Sequence, residues 1–153
     1  MKPAAFEYHA PATAAEAVAL LGEFGDDAKP IAGGQSLVPF LALRLATFEH
    51  LIDIGTIAEL SGIATAGDAL RIGAATTQAT IERSPEVAAA APLLARATSL
   101  IGHFQIRNRG TLGGSLAHAD PAAEYPAVAL ALDADLEVLG PDGTRQVLSL
   151  IHI

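Results

Sequence analysis

Residues 32–39 read Ala32-Gly33-Gly34-Gln35-Ser36-Leu37-Val38-Pro39 (AGGQSLVP), a doubled glycine between an apolar KPIA and an apolar segment with an early proline. Two adjacent glycines weaken a helix and a strand alike. The pattern around them predicts a strand over 28–32, a helix from 36 to about 46 with Pro39 tolerated in its first turn, and a strand over 50–54. Strand, tight turn, helix, strand is a βαβ unit. A turn through positive φ can aim successive N–H groups into one concavity, and a helix N-terminus behind it adds positive potential. Gln35 and Ser36 add side-chain donors. A second pair, Thr111-Leu112-Gly113-Gly114-Ser115 (TLGGS), repeats glycine-glycine-hydroxyl. Two such cradles facing each other suit a pyrophosphate; taken singly, each reads first as an ordinary turn, and only the doubling puts the cradle level with it. Neither matches G-x-G-x-x-G or a Walker A loop, because no Gly-Lys-Ser/Thr follows.

Working outward, Thr13-Ala14-Ala15-Glu16 has capping-box spacing, and helical periodicity continues to Gly25. Strands over 62–66 and 69–74 meet at Gly67-Asp68 as a hairpin. Helices are expected over 77–83 and 85–100, the latter starting at Ser84-Pro85-Glu86 and broken at Pro92. A second hairpin, 136–139 with 144–147, turns on Gly140-Pro141-Asp142-Gly143. Gly73 permits close approach to a cofactor or backbone, Thr77 caps a helix, and Phe104 is read as core. The class is α+β in two lobes, parallel first (1–55) and mainly antiparallel after (56–147).

The chain has 153 residues, 51% hydrophobic and 17% charged, enough for a real core and unlike a disordered segment. A net charge of −8 disfavours nucleic-acid binding, and it obliges any phosphate-bearing ligand to be held by local backbone dipoles. With no cysteine, disulfides, thiol nucleophiles and Cys-ligated metal within the chain are excluded. The five histidines lack metal-ligand spacing, so no metal site is expected. No apolar run is long enough for a bilayer and no secretory h-region opens the chain, so the expected compartment is the cytoplasm. His118 and Asp120 could form an acid–base pair, but Asp120-Pro121 is preferred as a helix start, leaving no catalytic residue assigned. Arg107 and Arg109 stand before the second glycine pair, where they offset a cofactor's charge, meet an acidic partner, or simply face solvent.

Five stretches carry a resemblance: FEYHAPAT (6–13), AGGQSLVP (32–39), LRLATFEHLIDI (43–54), LRIGAATT (70–77) and IGHFQIRNRGTLGGSLAHADPAAEYPAVALALDA (101–134). In register through almost the whole chain, they resemble the FAD-binding (medium) subunit of the molybdenum hydroxylase family, of the carbon monoxide dehydrogenase and xanthine dehydrogenase type. The resemblance implies the two-lobed FAD-binding fold shared with vanillyl-alcohol-oxidase-type (PCMH-type) flavoproteins. It implies that Ala32, Gly33, Gly34, Gln35 and Ser36 hold the FAD pyrophosphate from the first lobe and Thr111, Leu112, Gly113, Gly114 and Ser115 from the second. Glu124 and Ile101 match further positions of that site. It implies a large molybdopterin-binding subunit and a small [2Fe-2S] subunit as partners, with electrons passing through FAD to an acceptor. A stand-alone flavin oxidoreductase and an inactive truncated fragment are the alternatives. The last six residues, LSLIHI (148–153), resemble the translation of a sequencing adaptor and are expected to be a non-native tail on a C-terminally truncated chain whose second lobe is incomplete.

Overall fold

A computed structural model of the chain describes residues 2–148. Thr13 opens α1 (Ala14–Phe24): its hydroxyl accepts from the Glu16 N–H at 3.1 Å. The Glu16 carboxylate accepts in return from the Ala12 N–H at 2.8 Å, one residue upstream of a standard capping box. Gly25, at φ 53°, ends the helix in a conformation that costs glycine little. β2 (Ala28–Ile31) and β3 (His50–Asp53) then pair in parallel across α2 (Leu37–Ala42), as the βαβ reading requires. α2 is shorter than expected, and Arg44 beyond it takes φ 55°, which a continuing helix cannot accommodate. β1 (Glu7–His9), too short to leave a periodic signature, pairs in parallel with the other edge of β3, giving the sheet order β1-β3-β2.

α1 covers one face of this sheet, where Ala17, Ala28, Ile52 and Ile57 close an apolar cluster bordered by Leu20, Leu21, Phe24 and Leu60. The cluster reaches past residue 55, so the first lobe's packing runs on to Leu60. On the exposed side of α1, a Cβ on Gly22 would meet nothing within 4 Å. Gly22→Ala is therefore expected to raise stability by about 0.5–1 kcal/mol, seen as a higher denaturation midpoint. A lower midpoint would contradict this placement.

The second lobe starts with the antiparallel hairpin β4 (Ile63–Ala66) and β5 (Ala69–Ile72). α3 (Gln78–Arg83), α4 (Pro85–Ala90) and α5 (Pro92–Thr98) follow, the prolines at first helical positions where no N–H is missed. Thr77 and Ser84 cap α3 and α4 through their hydroxyls, as read from the sequence. Two helices were not foreseen, α6 (Phe104–Arg107) and α7 (Leu112–His118); α8, expected from Asp120-Pro121, spans Glu124–Ala131. The hairpin β6 (Asp135–Gly140) and β7 (Gly143–Leu148) closes the described chain. The core consists of Ile81, Val87, Leu94, Ile101, Tyr125 and Val128. The fold is α+β, parallel first and antiparallel after.

Three expectations are corrected or fall away. Phe104 is 62% exposed and not core, because α6 is a single turn on the surface. Asp120 starts no helix; its carboxylate accepts from the Ala122 N–H at 2.8 Å in a local turn, and α8 begins only at Glu124. Leu148 pairs with Asp135 at the end of β7, and the rest of the expected tail, 149–153, lies outside the described residues.

At the heart of the second core, Thr98 Oγ1 lies 2.7 Å from the Leu94 carbonyl and 2.9 Å from the Tyr125 hydroxyl. Since Thr98 donates to Leu94, Tyr125 donates to Thr98. Burial pushes the Tyr125 phenol up to about 12. The unfolded chain loses this proton near pH 10 and the folded chain only near 12. Stability is thus fully present below pH 10 and falls as pH rises towards 12, by at most about 1.4 kcal/mol per unit. Tyr125→Phe should flatten that part of a stability-versus-pH curve; an unchanged slope would contradict the assignment.

Candidate functional site

β2 and β3 end side by side, with Ile31 opposite Asp53, and the chain leaves β2 directly into Ala32 and Gly33. Ligands of open parallel sheets sit beyond the carboxyl ends of the strands. A cleft of about 190 Å³ lies at that end, lined by Ala32, Gly33, Asp53 and Gly55 from the first lobe and Thr77, Arg109 and Thr111 from the second, among others. A larger, shallower groove of about 440 Å³ is lined by Ile63, Thr80, Arg83, Ser84 and Glu86. It shares no residue with the glycine loops, and its Ser84 and Glu86 are already bonded to each other at the start of α4.

The two glycine loops touch. A Cβ on Gly33 would lie 2.0 Å from the Arg109 carbonyl oxygen and 2.8 Å from the Gly110 Cα. Only glycine permits that approach, and it brings AGGQS against the segment leading into TLGGS. Gly34 turns the chain at φ 69°, and the Val38 N–H donates to its carbonyl at 2.9 Å. Among the described residues, the N–H groups of Gly33, Gly34, Gln35 and Ser36 have no hydrogen-bond partner. The Gln35 side chain donates back to the Gly33 carbonyl at 3.0 Å, which stiffens the loop.

The second loop differs from the first. Gly113 and Gly114 are not in an open nest; they form the first turn of α7. Leu112 N–H donates to Thr76, Gly113 N–H to Ala74 at 2.8 Å, Gly114 N–H to the Thr111 hydroxyl, and Ser115 N–H to the Thr111 carbonyl. The expected second cradle of free amides is therefore corrected. Gly113 is needed because a Cβ there would sit 2.6 Å from Ala74 Cβ, and Gly73 likewise because its Cβ would sit 2.3 Å from the Leu60 carbonyl. What this side offers the cleft is shape, the Thr77 and Thr111 backbones joined as an isolated bridge, and the side chains of Asn108 and Arg109.

The two arginines separate in role. Arg107 is largely buried, its Nε donating to Glu82 at 2.9 Å and an Nη to the Ile101 carbonyl at 3.0 Å. Arg109 is exposed at the cleft with no ion-pair partner among the described residues. Asp53, the cleft's carboxylate, accepts from the Tyr8 hydroxyl and, at 2.8 Å, from the Gly55 N–H. This hydrogen bond to an ionised carboxylate is the first cause of the raised Tyr8 phenol pKa. Ile101 packs in the second core, and only its carbonyl faces the Arg107 turn. Glu124 opens α8, beside α7, outside the cleft lining. His118, at the end of α7, meets Phe40 of α2 edge-on, ring centroids 6.3 Å apart, so the helices that follow the two glycine loops also touch. Asp53, Gly55 and Asn108 were not read as site residues; the signal for the first two was the carboxyl end of the parallel strand β3, and Asn108 follows α6 beside Arg109.

A family described as the FAD binding domain in molybdopterin dehydrogenase matches residues 4–150. The carbon monoxide dehydrogenase medium chain of Hydrogenophaga pseudoflava is 51% identical over 96% of this chain and 51% of its own length. The 6-hydroxypseudooxynicotine dehydrogenase complex subunit alpha of Paenarthrobacter nicotinovorans is 46% identical over 96% of this chain and 50% of its own. A solved structure of the Hydrogenophaga pseudoflava carbon monoxide dehydrogenase superposes with a TM-score of 0.96, covering 97% of this chain and 52% of that one. The chain spans about half the length of the curated relatives it matches. Taken with the paired glycine loops, these likenesses mean that the chain belongs to the family of FAD-binding domains of molybdopterin dehydrogenases.

Proposed function

We propose that this chain holds FAD in the electron-transfer subunit of a molybdenum-containing hydroxylase or dehydrogenase of the carbon monoxide dehydrogenase or xanthine dehydrogenase type. Electrons arrive from iron–sulfur clusters on a small [2Fe-2S] partner, and a large molybdopterin-binding partner oxidises the substrate. The compartment is the cytoplasm; among the described residues no helix is long and apolar enough to cross a membrane. With no cysteine in these 153 residues, cluster ligands come from elsewhere.

The observation that carries this reading is the run of unpartnered amides from Gly33 to Ser36, set against the Arg109–Gly110 backbone. Such a run fits the diphosphate of FAD, and Arg109 supplies a cation in a chain of net charge −8. Ala32, Gly33, Gly34, Gln35 and Ser36 hold the diphosphate from the first lobe. Thr111, Leu112, Gly113, Gly114 and Ser115 form the opposing wall, and Ile101 and Glu124 support it from the turn before α6 and from α8. FAD supplies the redox chemistry when bound; the chain binds, orients and shields it. A stand-alone flavin oxidoreductase would need its own base. His118 meets Phe40 and Asp120 is bonded within its own turn, so that reading has no support.

Two measurements test the proposal. Titrating the purified chain with FAD should show saturation at one equivalent; no binding would contradict the cofactor role. The complex purified from its source should contain molybdenum and iron, whereas a lone active flavoprotein without them would contradict the subunit assignment.

A further inference from the structure

The parallel register of β1 on β3 creates a second cluster at the far end of the sheet from the cleft. Glu7 lies opposite His50, and strand alternation puts Glu7 and His9 on one face, the face that also carries His50 and Ile52. His9 Nε2 is 3.1 Å from His50 Nδ1, the Glu7 carboxylate is 3.6 Å from His50 Nδ1, and it is 4.0 Å from His9 Nε2. We propose that Glu7, His9 and His50 bind one divalent transition-metal cation of the zinc class, fastening the short edge strand β1 to β3.

Zinc bonds to imidazole nitrogen and carboxylate oxygen of about 2.0–2.2 Å, in tetrahedral arrangement, require ligand atoms about 3.3–3.6 Å apart. The three observed separations bracket that range, so small rotations of existing side chains complete the site. The rings are already oriented. Phe24 stacks on His50 with centroids 3.8 Å apart and planes 12° from parallel, and it lies 5.1 Å from His9. Both imidazoles are mostly covered while Glu7 is 75% exposed, which leaves an entry path and an open fourth position for water. A hydrogen bond between the imidazoles accounts for the His9–His50 contact, and a shared cation accounts also for the carboxylate near both nitrogens. Two imidazoles with one carboxylate favour zinc, cobalt, nickel or copper over calcium or magnesium. Glu7 and His9 are near neighbours in sequence, but His50 lies 41 residues beyond His9, so spacing along the chain hides the cluster. Because His50 begins β3 and Asp53 ends it, the cation sits about 10 Å from the cleft and has a structural role, not a redox one.

The chain is titrated with Co2+ and with Zn2+. The expected results are one equivalent bound, a tetrahedral Co2+ absorption, and a rise in the midpoint of thermal unfolding with free metal. In the unmodified chain the imidazole 15N resonances of His9 and His50 should move with the first equivalent while those of His103 and His118 stay still. His50→Ala and His9→Ala should lose stoichiometric binding, Glu7→Gln should weaken it, and His103→Ala should bind as the parent does. No stoichiometric binding to the parent, movement confined to His103 or His118, or parental affinity in a folded His50→Ala variant each overturns the proposal.

Discussion

Gly33→Ala is expected to weaken FAD binding on the order of 100-fold, about 2.7 kcal/mol, and to lower the unfolding midpoint. The added Cβ would lie 2.0 Å from the Arg109 oxygen, 2.7 Å from the Arg109 carbonyl carbon and 2.8 Å from the Gly110 Cα. All three are backbone atoms, so no side chain can swing aside. The loops must part by about 1 Å or more to restore ordinary contact, and the cleft they share opens with them. Gly22→Ala makes the same chemical change on an open helix surface and has the opposite sign. The pair therefore separates a steric effect at the loop contact from any general response to losing glycine. Parental affinity and midpoint in Gly33→Ala would mean that the loops do not touch in solution.

Removing Arg107 acts on the same region from beneath. Arg107→Leu strips the Glu82 carboxylate of its cation and the Ile101 carbonyl of its donor. Glu82 retains partial access to water, at 28% exposure, which moderates the cost to about 2–3 kcal/mol. Glu82→Gln should cost less, and the double variant less than the sum of the two, because the pair acts as one unit. Since α6 leads directly into Asn108 and Arg109, FAD affinity should fall together with stability in Arg107→Leu. In Arg109→Leu affinity should fall with no change in stability. Urea unfolding and FAD titration on the same samples distinguish the two patterns. Full stability in Arg107→Leu would contradict the buried role assigned to this arginine.

The elements with local causes were legible in the sequence. A hydroxyl and a carboxylate three residues apart define the start of α1, and Thr77, Ser84 and two prolines define α3 to α5. The βαβ unit around AGGQS could be read because glycine turns and apolar runs are local signals. What was missed depends on distant partners. β1 has three residues and exists only through its pairing with β3. Gly113 and Gly114 suggested a loop, yet the Thr111 cap and the close approach of Ala74 make them the first turn of a helix. Phe104 looked like core because aromatic rings usually are; its place on a single surface turn leaves it exposed. The Glu7, His9 and His50 cluster follows from strand register, which no spacing along the chain reveals.

In the function proposed above, the backbone amides of the first glycine loop grip the diphosphate of FAD. Recording amide 1H–15N spectra of the labelled chain during titration with FAD, and separately with inorganic pyrophosphate, addresses it directly. The largest shifts should fall on Gly33, Gly34, Gln35 and Ser36 with both ligands, while Gly113 and Gly114, already bonded within the protein, should move less. Shifts centred on the groove at Ile63, Thr80 and Arg83, or an AGGQS loop that stays still at saturation, would contradict the account.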